Sequence, residues 1–120
     1  MKYSIITPQF NSYGLMDKYF DSLLNQTFKD FEVIIVDDCS TDGSWEKLQE
    51  YVKACPLVIK LLQSEVNSGP GNARNIGIEA ASGKWITFVD NDDWVSYDFL
   101  EKVDAVIERE NVNCVIYDYN

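Results

Sequence analysis

Apolar residues come in short blocks along this chain, and a polar cluster closes nearly every block. "YSIITP" is short, apolar and β-branched, as a buried strand requires. From about Gly14 the apolar positions fall at Leu15, Tyr19 and Leu23, with Met16, Phe20 and Leu24 beside them, which predicts one helical stripe. "FEVIIVDD" is a continuous apolar run ending in two acids, the pattern of a strand covered on both faces. Ser40, Thr41 or Asp42 is placed to cap a second helix striped by Trp45, Leu48 and Val52. "LVIKLLQ" predicts a third strand, and "NSGPGN" a turn with Pro70 in the first turn of a helix. That helix carries Ala73, Ile76, Gly77 and Ala80 on one side, all small or modest, so it can lie close on a sheet. "KWITFVD" predicts a fourth strand, a helix from about Ser96 faces in through Leu100, Val103 and Ile107, and "NCVIYDY" predicts a fifth strand.

The strict alternation of strand and helix predicts an α/β fold: a Rossmann-like, doubly wound, mostly parallel sheet with helices on both faces. Residues 1–120 contain no repeat or linker and are expected to form a single domain. The chain ends at a strand with no closing helix, so it is expected to be the first part of a larger domain. In such sheets ligands bind beyond the carboxyl ends of the strands, where the strand order reverses. Four polar segments fall at those ends: Thr7-Pro8-Gln9-Phe10-Asn11, Asp37-Asp38-Cys39-Ser40, Asn67-Ser68-Gly69 and Asp90-Asn91-Asp92-Asp93. With strands in the order 3-2-1-4, Phe10 and the Asp90 cluster would line one cleft, with Asp38 next door. Each segment alone has a plainer reading: a capping loop for "DDCSTD", a core aromatic for Phe10, a solvated turn for "DNDDW". Their meeting at one end of one sheet is what favours a site.

Charge narrows the partners. Twenty acidic residues against ten basic ones give a net charge of −10, which argues against nucleic acid and against an anionic membrane surface. No residue is histidine, so a His-based triad and a His-ligated metal are excluded. Cys39, Cys55 and Cys114 are scattered and form no CxxC pair, which speaks against zinc and a disulfide framework and for reduced thiols in the cytoplasm. No segment is long and apolar enough for a signal peptide or a membrane span.

The acids point to a hard cation. In an extended backbone residues i and i+2 share a side, so Asp90 and Asp92 could reach one Mg²⁺ or Mn²⁺, which takes oxygen ligands and shares them with phosphates. Such an ion could stabilise a diphosphate leaving group. Arg74 could donate a fork to phosphate oxygens, hold an Asp in place, or serve only as a surface ion pair. "NSGPGNARN" is a poor dinucleotide fingerprint, because Arg74 stands where a third glycine belongs and the segment follows the third strand. A phosphorelay receiver domain fits the length, but it needs its acid pair after the first strand, where this chain has "TPQFN".

"SIITPQFNS", "SLLNQTFKDFEVIIVDDCSTDGS", "NSGPGNARNIGIEAASGKWITFVDNDD" and the "DFLE" of Asp98–Glu101 together resemble glycosyltransferase family 2. The resemblance covers essentially the whole chain, with blocks in the family's order and spacing. It implies an inverting, nucleotide-sugar-dependent enzyme of GT-A fold working in cell-surface polysaccharide or glycan synthesis, with a UDP-sugar favoured. By the same resemblance Thr7, Pro8 and Phe10 match the segment that cradles the base, Phe10 standing where a stacking tyrosine is usual, with Asn11 next to them. Asp38 matches the acid that accepts from the pyrimidine ring, with Asp37 the weaker candidate. Arg74 matches the arginine of the family's "ARN" block, and Asp90, Asn91 and Asp92 its "DxD" motif. Asp90 and Asp92 are the implied ligands of Mn²⁺ or Mg²⁺, with Asp92 the stronger.

Gln9 departs from the family's apolar or small residue, and a purely local packing effect is expected there. The implied partners are a nucleotide-sugar donor and a carbohydrate or lipid-linked acceptor. The implied location is the cytoplasm, with the inner face of the membrane open to the full-length protein. The catalytic base is expected beyond Asn120. A chain lacking it should bind nucleotide without full transfer activity, and should self-associate, as a homo-oligomer or aggregate, through apolar surface left uncovered.

Overall fold

Period-two alternation along β1 (Tyr3–Gln9) decides how the sheet is clad. Tyr3 and Ile5 join one apolar cluster and Ile6 joins another on the opposite face. β2 (Phe31–Asp37) is buried at every position, as its unbroken apolar run predicts. Among the described residues, β3 (Ile59–Gln63) and β4 (Trp85–Phe88) complete a four-stranded sheet of order β3-β2-β1-β4. Every pairing is parallel, and the β1–β2 register sets Gln9 beside Asp37 at the carboxyl ends. The computed structural model describes residues 1–66 and 69–110; the expected fifth strand, Cys114, Asn67 and Ser68 lie outside them.

Three helices share one face. α1 (Asp17–Leu24), α2 (Ser44–Ala54) and α4 (Phe99–Glu110) bury Tyr19, Phe20, Leu23, Leu48, Leu100 and Ile107 with Tyr3, Ile5, Val33 and Ile35. α3 (Pro70–Ala80) crosses to the other face and packs Ala73, Ile76 and Ala80 on Ile6, Ile34 and Val36. The chain therefore changes faces between β1 and β4, and the cleft of a doubly wound sheet opens there. Gly77 lets α3 sit this low: a Cβ on it would meet Ile6 Cγ2 at 2.5 Å.

Two helix starts differ from expectation. α1 begins at Asp17, and Leu15 and Leu24 are exposed, so the buried stripe is Met16, Tyr19, Phe20 and Leu23. A helix of eight residues makes barely two turns and has room for one stripe only. The N-cap of α2 is Gly43, left-handed at φ 90°, while the Asp42 carboxylate accepts the Ser44 N–H at 3.0 Å. Gln26, unremarked in the sequence, is fully buried; its amide donates to Ser22 O and Ser96 O and accepts the Leu100 N–H at 3.1 Å, tying α1 to the start of α4. No helix among the described residues is long and apolar enough to cross a membrane.

At the opposite end of the sheet from the cleft, Glu32 is 1% exposed yet charged. Burial alone would push its carboxyl up, but hydrogen bonds from Ser4 Oγ (2.6 Å), the Ser82 N–H (2.7 Å) and Lys60 Nζ (3.1 Å) outweigh it and hold it at about 2. The unfolded value is 4.5, so the folded protein binds fewer protons between the two. Stability contributed by Glu32 is therefore complete above pH 4.5 and drains as pH falls towards 2. Urea denaturation over that interval should show Glu32 steepening the loss by up to about 1.4 kcal/mol per pH unit. Glu32→Gln should be less stable at neutral pH and show the shallower acid slope; parallel slopes for the two proteins would contradict the assignment.

Candidate functional site

Four chain segments meet at the carboxyl ends of β1, β2 and β4. Past β1, Asn11 takes a left-handed backbone (φ 47°), which its short polar side chain tolerates. Its N–H reaches Ser40 Oγ at 3.0 Å, and its side-chain oxygen accepts the Thr41 N–H at 2.8 Å. The bend leaves Phe10 48% exposed, its ring bordering a cleft of about 400 Å³. Past β2, Cys39 is also left-handed (φ 61°), and the two acids before it part company. Asp37 is fully buried and accepts from Gln9, Ser40 and Gln63. Asp38 faces the cleft, its carboxylate held by Ser64 Oγ and the Gly69 N–H, both at 2.8 Å. Gly69 adopts φ 91°, a conformation open to glycine, and delivers the start of α3 and Arg74 to the cleft wall.

Past β4 the backbone is not extended. The strand ends at Phe88, and Asp90–Asp93 closes a turn in which the Asp93 N–H donates to Asp90 O at 3.1 Å. The expected i, i+2 alternation therefore does not bring Asp90 and Asp92 together; the turn does, and it adds Asp93. One carboxylate oxygen from each of the three lies within 4.8 Å of the others. Asn91, between them, is buried and donates its amide to Gln9 and Ser12. Burial, then the charges of Asp92 and Asp90, push the Asp93 carboxyl above its ordinary value. Clustered carboxylates so strained are the donor set a hard divalent cation relieves, so the residues fit such an ion. Arg74 Nη2 stands 3.6 Å from Asp90 Oδ1, which realises the ion pair among its expected alternatives while leaving the guanidinium on the cleft.

Pro8, Phe10, Asn11, Asp38, Arg74, Asp90, Asn91 and Asp92 thus line one cleft. Thr7 does not: it is fully buried on the α1 side, its hydroxyl 2.6 Å from Val89 O and 2.5 Å from the Tyr19 hydroxyl. A larger hollow of about 740 Å³ lies beside α2, bordered by Tyr13, Thr41 and Lys47, but it touches neither Asp38 nor the acidic turn. Chemistry, not volume, therefore selects the smaller cleft.

Gln9 is the residue that sequence reasoning missed. Far from a local packing effect, its carboxamide donates to Asp37 Oδ1 and to Ser40 Oγ (2.7 Å), and accepts from Ser12 Oγ and from Asn91 Nδ2 (3.1 Å). The available signal was its position two residues after Thr7 on a strand, which puts it on the same covered face as Thr7.

The family model for glycosyl transferase family 2 matches residues 4–120. The poly(ribitol-phosphate) beta-N-acetylglucosaminyltransferase TarS of Staphylococcus aureus is 36% identical over 119 residues, covering 97% of this chain and 20% of TarS. The crystal structure of S. aureus TarS 1–349 in complex with UDP-GlcNAc superposes with a TM-score of 0.85 at 34% identity, over 98% of this chain and 37% of that one. A mannosyltransferase from Pyrobaculum calidifontis, crystallised with GDP-Man and Mn²⁺, shares the fold at 24% identity and a TM-score of 0.85, over 97% of this chain and 36% of that one. The expected α/β fold of GT-A type is therefore observed. This chain spans a fifth of the length of TarS.

Proposed function

The chain belongs to glycosyl transferase family 2, and from that premise we propose that it forms the donor-binding part of a glycosyltransferase using a UDP-sugar. The observation that carries this reading is the convergence of Phe10, Asp38, Arg74 and the acidic turn on one cleft. An exposed aromatic, a buried carboxylate, a guanidinium and an oxygen-rich cluster are the groups that a base, its ring N–H and a metal-bound diphosphate require. The TarS structure with UDP-GlcNAc supports a UDP-sugar, and the TarS name, a poly(ribitol-phosphate) beta-N-acetylglucosaminyltransferase, supports transfer to a polymer acceptor.

Each residue then has a task. Phe10 stacks on the uracil. Asp38 accepts the ring N–H, one of the roughly four hydrogen bonds a carboxylate can take. Asp90 and Asp92 would hold Mn²⁺ or Mg²⁺, and Asp93, with a carboxylate oxygen within 4.8 Å of theirs, would add negative charge. Arg74 bridges Asp90 and the diphosphate oxygens. When bound, the cation neutralises charge on the departing diphosphate. Attack of an acceptor hydroxyl on the opposite side of the sugar carbon, its proton passing to a general base, would form the new glycosidic bond, break the bond to the diphosphate, release UDP and invert that carbon. Calorimetric titration of UDP with and without Mn²⁺ tests the proposal: UDP should bind more tightly with the metal, and more tightly than GDP. Equal UDP affinity in the two conditions would remove the metal from the site.

The two neighbouring acids should separate by readout. Asp38→Ala leaves the ring N–H without its partner and should cost about 1–3 kcal/mol of UDP affinity. Asp37→Ala strips the acceptor from Gln9, Ser40 and Gln63, and should cost about 2 kcal/mol of folding stability instead. Thermal melts and UDP titrations of both variants check this; equal losses of affinity in two folded variants would overturn the assignment.

A further inference from the structure

Gln9 is 2% exposed, and its amide is saturated: two N–H groups given, two lone pairs filled. A saturated amide has one orientation, so each partner is fixed relative to the others. The partners come from separate segments. Asp37 ends β2 and Ser40 lies in the loop after it, on either side of Asp38. Ser12 lies in the loop after β1, and Asn91 sits between the two acids of the cleft's turn. Asn91 Nδ2 also donates to Ser12 Oγ at 2.5 Å, closing a ring of three side chains. The ring borders the same cleft as Asp90 and Asp92, and its three mutual hydrogen bonds use neither of their carboxylates.

We propose that Gln9 is a positioning residue that fixes the acidic turn relative to the loop of Asp38, so that metal binding and nucleotide binding reinforce each other through it. This rests on the UDP and divalent-cation reading above. Asp38 keeps its own supports, Ser64 and Gly69, without Gln9. The base pocket therefore survives loss of Gln9, while the turn loses its link to the loop of Asp38 and is left with the Asn91–Ser12 bond and the Arg74–Asp90 ion pair.

The test is a binding cycle on the intact protein, with UDP titrated in the presence and absence of Mn²⁺ and uridine titrated as a probe of the base pocket alone. Gln9→Met keeps the side chain's length and removes all four hydrogen bonds. The gain in UDP affinity on adding Mn²⁺ should shrink about fivefold or more, a typical coupling between sites, while uridine affinity changes less than about twofold. A merely structural role would lower the melting temperature and weaken all three titrations alike, leaving the Mn²⁺ gain unchanged; that result overturns the proposal. Should Gln9→Met fail to fold, Ser12→Ala opens the same ring with a smaller change and should reduce the Mn²⁺ gain in the same direction; an unchanged gain there overturns it equally. Absence of any Mn²⁺ gain in the unsubstituted protein would defeat the functional reading itself, and this proposal with it.

Discussion

Asp92→Asn should abolish most of the Mn²⁺-dependent gain in UDP affinity, a loss of about tenfold or more. The substitution keeps the side chain's shape and removes one negative charge from a cluster whose oxygens lie within 4.8 Å of each other. An amide is a weaker ligand than a carboxylate for a hard cation, and it can turn an N–H₂ towards the ion. Asp92 borders the cleft, whereas Asp93 does not and closes the turn through its backbone. Asp93→Asn should therefore reduce the gain less. UDP titrations of both variants with and without Mn²⁺ decide the order, and a larger loss for Asp93→Asn would make Asp93 the principal ligand.

Gly77→Val should cost about 3 kcal/mol of stability, near the upper end for overpacking a tight contact. The space a Cβ would occupy at Gly77 is filled by Ile6 Cγ2 at 2.5 Å, on a strand clamped between β2 and β4. Relief requires α3 to rise off the sheet, and α3 carries Ala73 and Arg74 on the cleft wall. UDP affinity should therefore fall along with the melting temperature. Gly71, six residues earlier on the same helix, has nothing within 4 Å of its Cβ position, so Gly71→Ala should be neutral or gain about 1 kcal/mol. Matched denaturation curves for Gly77→Val and Gly71→Ala would contradict the close packing of α3.

What the sequence revealed and what it hid divide along a physical line. The strand of Phe31–Asp37, the small face of α3 and the inward face of α4 were legible because each is written in local periodicity. The gathering of polar segments at one end of the sheet followed from topology, once the strands were parallel and β1 lay beside β4. The shape of the acidic turn was not legible, because an extended strand and a turn both bring Asp90 near Asp92, and only the backbone distinguishes them. The separate fates of Asp37 and Asp38 depend on which one faces Gln9 across the β1–β2 register. Thr7 was placed with the base-binding segment by resemblance, yet strand alternation turns its side chain into the α1 face. Gln9 shows the limit most clearly. Its partners Asp37 and Asn91 lie 28 and 82 residues away, and no window along the chain holds them together.

The account stands on one cleft holding both a nucleotide and a divalent cation. A crystal of the protein grown with UDP and Mn²⁺, with anomalous data collected for manganese, addresses that directly. The uracil should lie on Phe10 with its ring N–H on Asp38, and the manganese peak should stand between the diphosphate and the carboxylates of Asp90 and Asp92. UDP bound elsewhere, or bound in this cleft with the manganese peak away from the acidic turn, would contradict it.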